Sequence, residues 1–525
     1  MDCLNKPVFL WLWFALWSLG AMPAFINTNL RGKGFVHCVR ISSARLVLVD
    51  EEIAGEILDE EVRTELAPVG TGRAVDTVLL DQIAAEEVRA QTPTRAPDEA
   101  RSGAKLSSAG QLIYTSGTTG LPKAANVSWG KCILGGGFTA RLLNLKPEDR
   151  FLTAMPLYHS SASTLGTIAV LSAGCSLVLG AKFSPRTFMQ HAAETRATTM
   201  QYVGEMCRYL LSAPSSPYDR QHTIRAAFGN GMRPDVWQSF KDRFDIPTVA
   251  EFYGATEGPG AHFNLSNNSF TRGVIGRGGP MIKLLLGSQS ALIRNDVETN
   301  EPVRDVRTHF CVPSSTNEPG EAIYKLDPAQ IEEKFQGYFG NEKATSSKVM
   351  RDVFTKGDAW YRTGDLLRRD DDGRWWFVDR IGDTFRWKGE NVSTNEVSEA
   401  LGSHPAVREA NVYGVQLPGH DGRAGCAALI LEVEASTLDD TLAFELARQV
   451  RQKLPRYAIP VFLRMAKALE MKGTMKQTKV ALRNEGVEPA KMGEDQVFWL
   501  PSSSDRYVRF GEQEWKGLTG GQAKL

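Results

Sequence analysis

Six short apolar runs constrain most strongly how this chain folds. They are LIYTSG, FLTAMPL, CSLVLG, TTMQYVG, IRAAFGNG and TVAEFYG, spread over residues 112–254. Each reads as a buried strand running into a loop, and longer helical stretches such as SPRTFMQHAAET lie between them. Strands alternating with helices argue for an α/β fold, a large multi-layer domain whose parallel sheet is covered on both faces. In such sheets ligands sit beyond the carboxyl ends of the strands. The glycine- and hydroxyl-rich loops follow the strands, where that rule puts a site.

Composition removes some function classes. The 525 residues carry 61 basic and 61 acidic side chains. A neutral balance gives no support to nucleic-acid binding, which leaves a basic footprint. Seven cysteines stand singly, without a C-x-x-C pair, and read as reduced, buried thiols. Residues 7–26, PVFLWLWFALWSLGAMPAFI, carry no charge. They are long enough to span a bilayer, or they form a buried helix interrupted by Pro23. Oligomeric state is not legible.

After residue 254 the pattern changes. Residues 327–358 are polar, lysine-rich and loop-like. A small α+β domain then opens near Arg380, which divides the chain into residues 1–379 and 380–525. Ser393 and Glu396 form an S-x-x-E capping pattern ahead of Val397 and Leu401 at helical spacing. NVYGV and CAALILEV read as strands. TLDDTLAFELARQVRQKLP reads as an amphipathic helix with Leu442, Leu446 and Val450 on one face, stopped by Pro455.

The chemistry concentrates in YTSGTTGLPKAA, residues 114–125. Gly117 and Gly120 let the backbone approach an anion, and successive N–H groups can form a nest for phosphate oxygens. Ser116, Thr118 and Thr119 add hydroxyls, and Lys123 adds a mobile charge. The hydroxyl that follows the lysine in the common nucleotide loop is missing, because Ala124 stands there. Pro122 cannot donate, so the loop does not continue as a helix N-terminus. Glu257 in YGATEG, after the strand TVAEF, can supply the missing magnesium ligand, since magnesium takes a few carboxylates plus phosphate oxygens. Asp365 in YRTGDLL, on an expected turn, can accept hydrogen bonds from ribose hydroxyls; read alone, it is an ordinary capping aspartate. Lys472, Lys476 and Lys479 in KGTMKQTK read alone as a solvated basic face.

Taken together, YTSGTTGLPKAA, YGATEG, YRTGD, VDRIGDTFRWKGENV and GTMKQTK stand in the order seen in adenylate-forming enzymes. AFINTNLR, PLYHSSASTLG, AFGNGMRPDVW and VYGVQLPGHDGRAG narrow the likeness. The chain resembles the fatty acid transport proteins, also called very-long-chain acyl-CoA synthetases, over nearly its whole length. That resemblance implies a mobile C-terminal lid domain and an N-terminal AMP-binding domain that is shortened at its start. Missing early elements would leave unpaired sheet edges and exposed apolar surface.

The resemblance also implies roles. Thr115, Ser116, Gly117, Thr118, Thr119, Gly120 and Lys123 hold the β- and γ-phosphates of ATP. Gly229, Asn230, Gly231 and Tyr253 frame the adenine, and Thr256 touches the α-phosphate. Glu257 ligates Mg2+, while Asp365 and Arg380 bind the ribose. Lys476, bracketed by Leu469 and Leu482, is the catalytic lysine. Gly382 is the hinge between Arg380 and Asp383, and Lys388, Gly389 and Glu390 border the site where CoA attacks. The acyl pocket runs inward from PLYHSSA; His159 either gates it or is a core histidine.

The implied activity is ATP-dependent ligation of a long-chain or very-long-chain fatty acid to CoA, linked to fatty acid uptake. Two alternatives are a membrane-associated fatty acid transporter or binder with weak ligase activity, and an adenylation domain serving a carrier protein. Ala523-Lys524-Leu525 resembles the S-K-L peroxisomal address. The expected location is therefore the peroxisome, or the cytosolic face of the endoplasmic reticulum, lipid droplet or plasma membrane.

Overall fold

The computed structural model of the protein describes all residues except 68–74, 116–120, 280, 282–283, 285–286, 298, 389, 419, 421, 433–437, 467–478 and 520–525, with the side chain of Val480 also outside the description. The chain forms two compact units interleaved in sequence. The first comprises Met1–Gly231, Phe240–Thr271 and Tyr324–Tyr361; the second comprises Met232–Ser239, Arg272–Ile323 and Arg362–Leu525. The expected division at 379/380 therefore remains a reading of the sequence.

The first unit is built on a six-stranded sheet. Its order is Ala261–Ser266, Thr248–Gly254, Ala226–Asn230, Thr199–Val203, Arg150–Thr153, Ser176–Leu179. Five strands are parallel, and only Ala261–Ser266 runs against its neighbour. Buried Phe151, Phe228, Ala250 and Phe252, with Ala140, Leu143 and Val170 from the covering helices, form one core on this sheet. The expected α/β architecture is present. Of the six apolar runs, LIYTSG lies elsewhere, however. Ala109–Thr115 pairs antiparallel with Lys123–Ser128, and parallel with the short strand Ala24–Phe25, in a separate three-stranded sheet. The chain doubles back after the phosphate-type loop, because Pro122 blocks helical continuation and Lys123–Ser128 finds a partner strand at once.

The apolar N-terminal run forms a 12-residue helix, Pro7–Ser18, that packs inward. Phe9 and Trp13 are fully buried. Their rings lie 4.9 and 5.2 Å from that of Phe25. Trp17 donates its indole N–H to the Gly110 carbonyl at 2.7 Å. The helix stops before Gly20, whose φ is 70°. Among the described residues no helix is long and apolar enough to cross a membrane. Strands Leu46–Asp50 and Asp76–Leu80 form a two-stranded parallel sheet on which Leu46, Val78 and Leu79 stay exposed.

The second unit contains a five-stranded sheet, Val407–Gln416, Arg423–Leu431, Phe462–Met465, Gln496–Trp499 and Val508–Phe510. Helices Thr394–Gly402 and Asp440–Lys453 pack through Val397, Leu401, Leu442, Leu446 and Val450, all buried in one core with these strands. Ser393 caps the first helix by accepting the Glu396 N–H at 3.2 Å, as its position predicts. Asp439 caps the second by accepting the Leu442 N–H.

Candidate functional site

In the first unit the site is assembled at the carboxyl ends of the parallel strands. The register sets Val203 beside Asn230 and Gly229 beside Glu251. Gly229, Asn230 and Gly231 therefore reach the same sheet edge as Tyr253, two residues beyond Glu251. The two glycines have separate causes. A Cβ on Gly229 would lie 2.2 Å from the Tyr202 carbonyl oxygen, so the strands tolerate only hydrogen there. Gly231 has φ of 76°, where L side chains are strained. The Tyr253 ring stacks on its cross-strand neighbour His262, with centroids 6.0 Å apart. Burial pushes that histidine down to about 4, which keeps its ring neutral.

Thr115 and Lys123 stand opposite each other at the ends of the antiparallel pair. The loop between them includes Ser116, Gly117, Thr118, Thr119 and Gly120, which lie outside the described residues. Lys123 holds its ammonium 5.5 Å from the ring centre of Tyr338. The Tyr338 hydroxyl donates to Glu257 Oε1 at 2.7 Å. On the other side, Lys131 donates to the Glu257 backbone carbonyl at 2.6 Å. Next to it, the Thr256 and Ser160 hydroxyls meet at 3.1 Å. Two residues predicted from separate motifs, Lys123 and Glu257, are thus joined through one tyrosine.

The electrostatics suit an anion with its counter-cation. Burial pushes the Lys131 ammonium down to about 8, with the Glu257 charge pulling the other way. Burial, then the charge of Glu257, push the Tyr338 hydroxyl far up, so it remains a donor. Among the described residues no group of three or more His, Cys, Asp or Glu could hold a metal. A buried carboxylate anchored through one oxygen, beside two hydroxyls and a lysine, instead fits a magnesium ion whose other ligands are phosphate oxygens and waters.

Sequence reasoning missed Tyr338 and Lys131. Residues 327–358 were expected to be polar loop. Instead the segment 336–339 docks along the strand Lys123–Ser128, with Asn126 N–H to Gly337 O at 3.0 Å and Phe339 N–H to Ala124 O at 2.8 Å. Phe335 and Tyr338 are buried. The aromatic cluster FQGYFG inside a lysine-rich stretch was the signal available. For Lys131, helical position alone does not separate a half-buried lysine from a solvated one.

His159 lies just before a π-helix, Ser161–Thr167. Its carbonyl accepts the N–H groups of Ala162 and Ser163, and its half-buried ring meets Tyr158 at 4.5 Å. Beneath the π-helix runs a buried polar layer. Gln201 donates to Ser161 O at 2.7 Å and accepts from Thr153 Oγ1 at 2.7 Å. Gln111 donates to Thr164 Oγ1 at 3.2 Å.

In the second unit Asp365 lies within the strand Ala359–Arg369, directly opposite Arg380. The expected turn is thus an irregular strand, with Gly364 at φ of 79° and a register shift between Leu366 and Leu367. Arg380 Nε stands 3.7 Å from Asp365 Oδ1, so the two ribose candidates are neighbours. Gly382 has φ of 85°. Beside it, Asp383 accepts from Arg483 at 2.7 Å and pairs with Lys479 at 3.4 Å, while Lys479 also donates to Thr394 Oγ1. Lys388, at φ of 52°, turns the hairpin between Phe385–Trp387 and Glu390–Val392. Gly389, Leu469, Lys472, Lys476 and residues 523–525 lie outside the described residues. All seven cysteines are free thiols.

Comparison with known proteins gives the family. The model of the AMP-binding enzyme family matches residues 2–321, and that of the AMP-binding enzyme C-terminal domain matches residues 396–476. A very long-chain fatty acid transport protein of Cochliobolus heterostrophus is 42% identical over 99% of this chain and 79% of its own length. Isopenicillin N epimerase component 1 of Hapsidospora chrysogena is 38% identical over 99% of this chain and 80% of its own. Among solved structures, the o-succinylbenzoate coenzyme A synthetase MenE of Bacillus subtilis, in complex with ATP and a magnesium ion, shares the fold. Its TM-score is 0.69 at 22% identity, over 92% of this chain and 87% of that one. The matches run along nearly the whole chain: the protein belongs to the AMP-binding enzyme family and, within it, to the group of the very long-chain fatty acid transport proteins.

Proposed function

We propose that the protein is an AMP-forming ligase that joins a long-chain or very-long-chain fatty acid to CoA and thereby drives fatty acid uptake. The observation that carries this reading is the link from Lys123 through Tyr338 to Glu257, which follows the carboxyl end of the strand Thr248–Gly254. In the first half-reaction a carboxylate oxygen of the fatty acid attacks the α-phosphorus of ATP. The bond from that phosphorus to the bridging oxygen breaks, and pyrophosphate leaves. In the second, the CoA sulfur attacks the acyl carbonyl of the acyl-adenylate, AMP leaves, and the thiol proton passes to solvent.

The chain's own work is positioning and charge stabilisation. Lys123 and the loop from Thr115 hold the β- and γ-phosphates, and Thr256 faces the α-phosphate. Glu257 would hold magnesium, which when bound neutralises charge on the departing pyrophosphate. Gly229, Asn230, Gly231 and Tyr253 frame the adenine, and Asp365 with Arg380 takes the ribose hydroxyls. Lys476 meets the negative charge that develops at the α-phosphate. Residues from Arg380 onward act as the lid, hinged at Gly382, and Lys388, Gly389 and Glu390 border the thioester-forming site.

The proposed location is peroxisomal, through Ala523-Lys524-Leu525, or a cytosolic membrane face. A membrane-associated fatty acid binder with weak ligase activity is a second reading, favoured by the exposure of Trp11, Ile133, Leu134 and Phe138. The test is a panel of fatty acids of increasing length, assayed for AMP release with and without CoA. CoA-dependent AMP release that peaks with long chains supports the ligase. Binding of fatty acid without nucleotide turnover supports the binder.

A further inference from the structure

We propose that Tyr338 is the positioning residue for the magnesium ligand, tying the phosphate-holding lysine and the metal-holding carboxylate into one unit. The inference rests on the family reading of Glu257 and goes beyond it by assigning a role to a residue of the segment 327–358.

The geometry is specific. Tyr338 is 7% exposed and Glu257 is 8% exposed, so their 2.7 Å hydrogen bond is shielded from water. A charge-assisted hydrogen bond in such surroundings fixes direction as well as energy. The hydroxyl engages Oε1, so in this proposal Oε2 is the oxygen left to take the cation. The same ring faces the Lys123 ammonium. Lys131 fixes the Glu257 backbone, and the tyrosine fixes the side chain.

The backbone holds Tyr338 just as firmly. Its N–H donates to Thr345 Oγ1 at 2.9 Å, and it bridges Ala125 on the strand that begins with Lys123. The preceding residue, Gly337, has φ of 62°, and a Cβ there would lie 2.2 Å from the Thr345 methyl carbon. The chain thus spends two constraints on delivering one hydroxyl to one carboxylate oxygen. Partners of this kind behind a ligand typically change metal affinity about 10- to 100-fold when removed.

The experiment is calorimetric titration of ATP into the full chain at a series of magnesium concentrations and in EDTA, for wild type, Tyr338→Phe and Tyr338→Leu. Thermal melts without nucleotide check that each variant folds. Tyr338→Phe keeps the ring over Lys123 and loses only the hydroxyl. It is expected to raise the magnesium concentration needed for half-maximal ATP binding about tenfold or more, and to leave the weaker binding in EDTA unchanged. Tyr338→Leu is expected to weaken binding in EDTA as well, through Lys123. A Tyr338→Phe titration superimposable on wild type would overturn the proposal, as would an equal loss with and without magnesium. Wild-type protein that bound no ATP at any magnesium concentration would overturn the family reading itself, and this inference with it.

Discussion

Replacing Asp383 by Asn tests whether the segment around Gly382 is held in place by charge. Asp383 accepts from Arg483 at 2.7 Å and pairs with Lys479 at 3.4 Å. Its side chain is 28% exposed, so the pair is neither a surface contact nor fully desolvated. Burial pushes the Asp383 carboxyl up, but the charges of Lys479 and Arg483 outweigh it and hold the group below its ordinary 3.8. Hydrogen bonds to charged groups contribute about 1.5–3 kcal/mol, and breaking a fully buried pair costs about 3–5 kcal/mol. With partial exposure, Asp383→Asn should cost about 2 kcal/mol, and Arg483→Gln about as much. The two share one contact, so the double variant should cost about 1–2 kcal/mol less than their sum. A carboxyl depressed by folding contributes its full stability above the ordinary value and loses it only as pH falls through the lower one. The gap between wild type and Asp383→Asn should therefore be level between pH 8 and pH 6. The assay is urea unfolding of the four proteins at matched m-values across that range. Additive losses in the double variant, or a gap that closes near neutral pH, would refute the clamp.

Three further outcomes follow from the site. Lys476→Ala should slow adenylate formation by about 100- to 1,000-fold, as removal of a transition-state charge donor does, while thioester formation from preformed acyl-adenylate is nearly unchanged; burst and single-turnover assays separate the two. Asp365→Ala should raise the KM for ATP about 10- to 100-fold with little change for 2′,3′-dideoxy-ATP, because only the ribose hydroxyl bonds are lost. Gly229→Ala should destabilise the first unit by about 1–3 kcal/mol through collision with Tyr202, as measured by thermal unfolding.

Much of this architecture was legible in the residues, because local pattern and tertiary role coincide there. The apolar runs from Phe151 to Tyr253 became strands of one sheet, and Leu442, Leu446 and Val450 became the buried face of one helix. Lys123 and Glu257 could be linked by order of motif, although they are 134 residues apart. What stayed hidden was pairing. Nothing in LIYTSG says whether its strand joins the parallel sheet or folds back on the segment after Pro122. Asp365 was placed on a turn because Thr-Gly-Asp is turn chemistry, yet pairing with Arg374–Arg380 keeps the strand extended. Tyr338 was hidden for a related reason. Its role comes from docking beside Lys123–Ser128, a contact more than 200 residues away in sequence.

The most direct measurement mixes purified protein with MgATP and a long-chain fatty acid, first without CoA and then with it, and follows pyrophosphate, acyl-adenylate and AMP by rapid quench. The expected result is a burst of pyrophosphate matched by enzyme-bound acyl-adenylate, followed by AMP and acyl-CoA only once CoA is added. Pyrophosphate that never appears from folded, ATP-bound protein, or AMP release indifferent to both fatty acid and CoA, would contradict it.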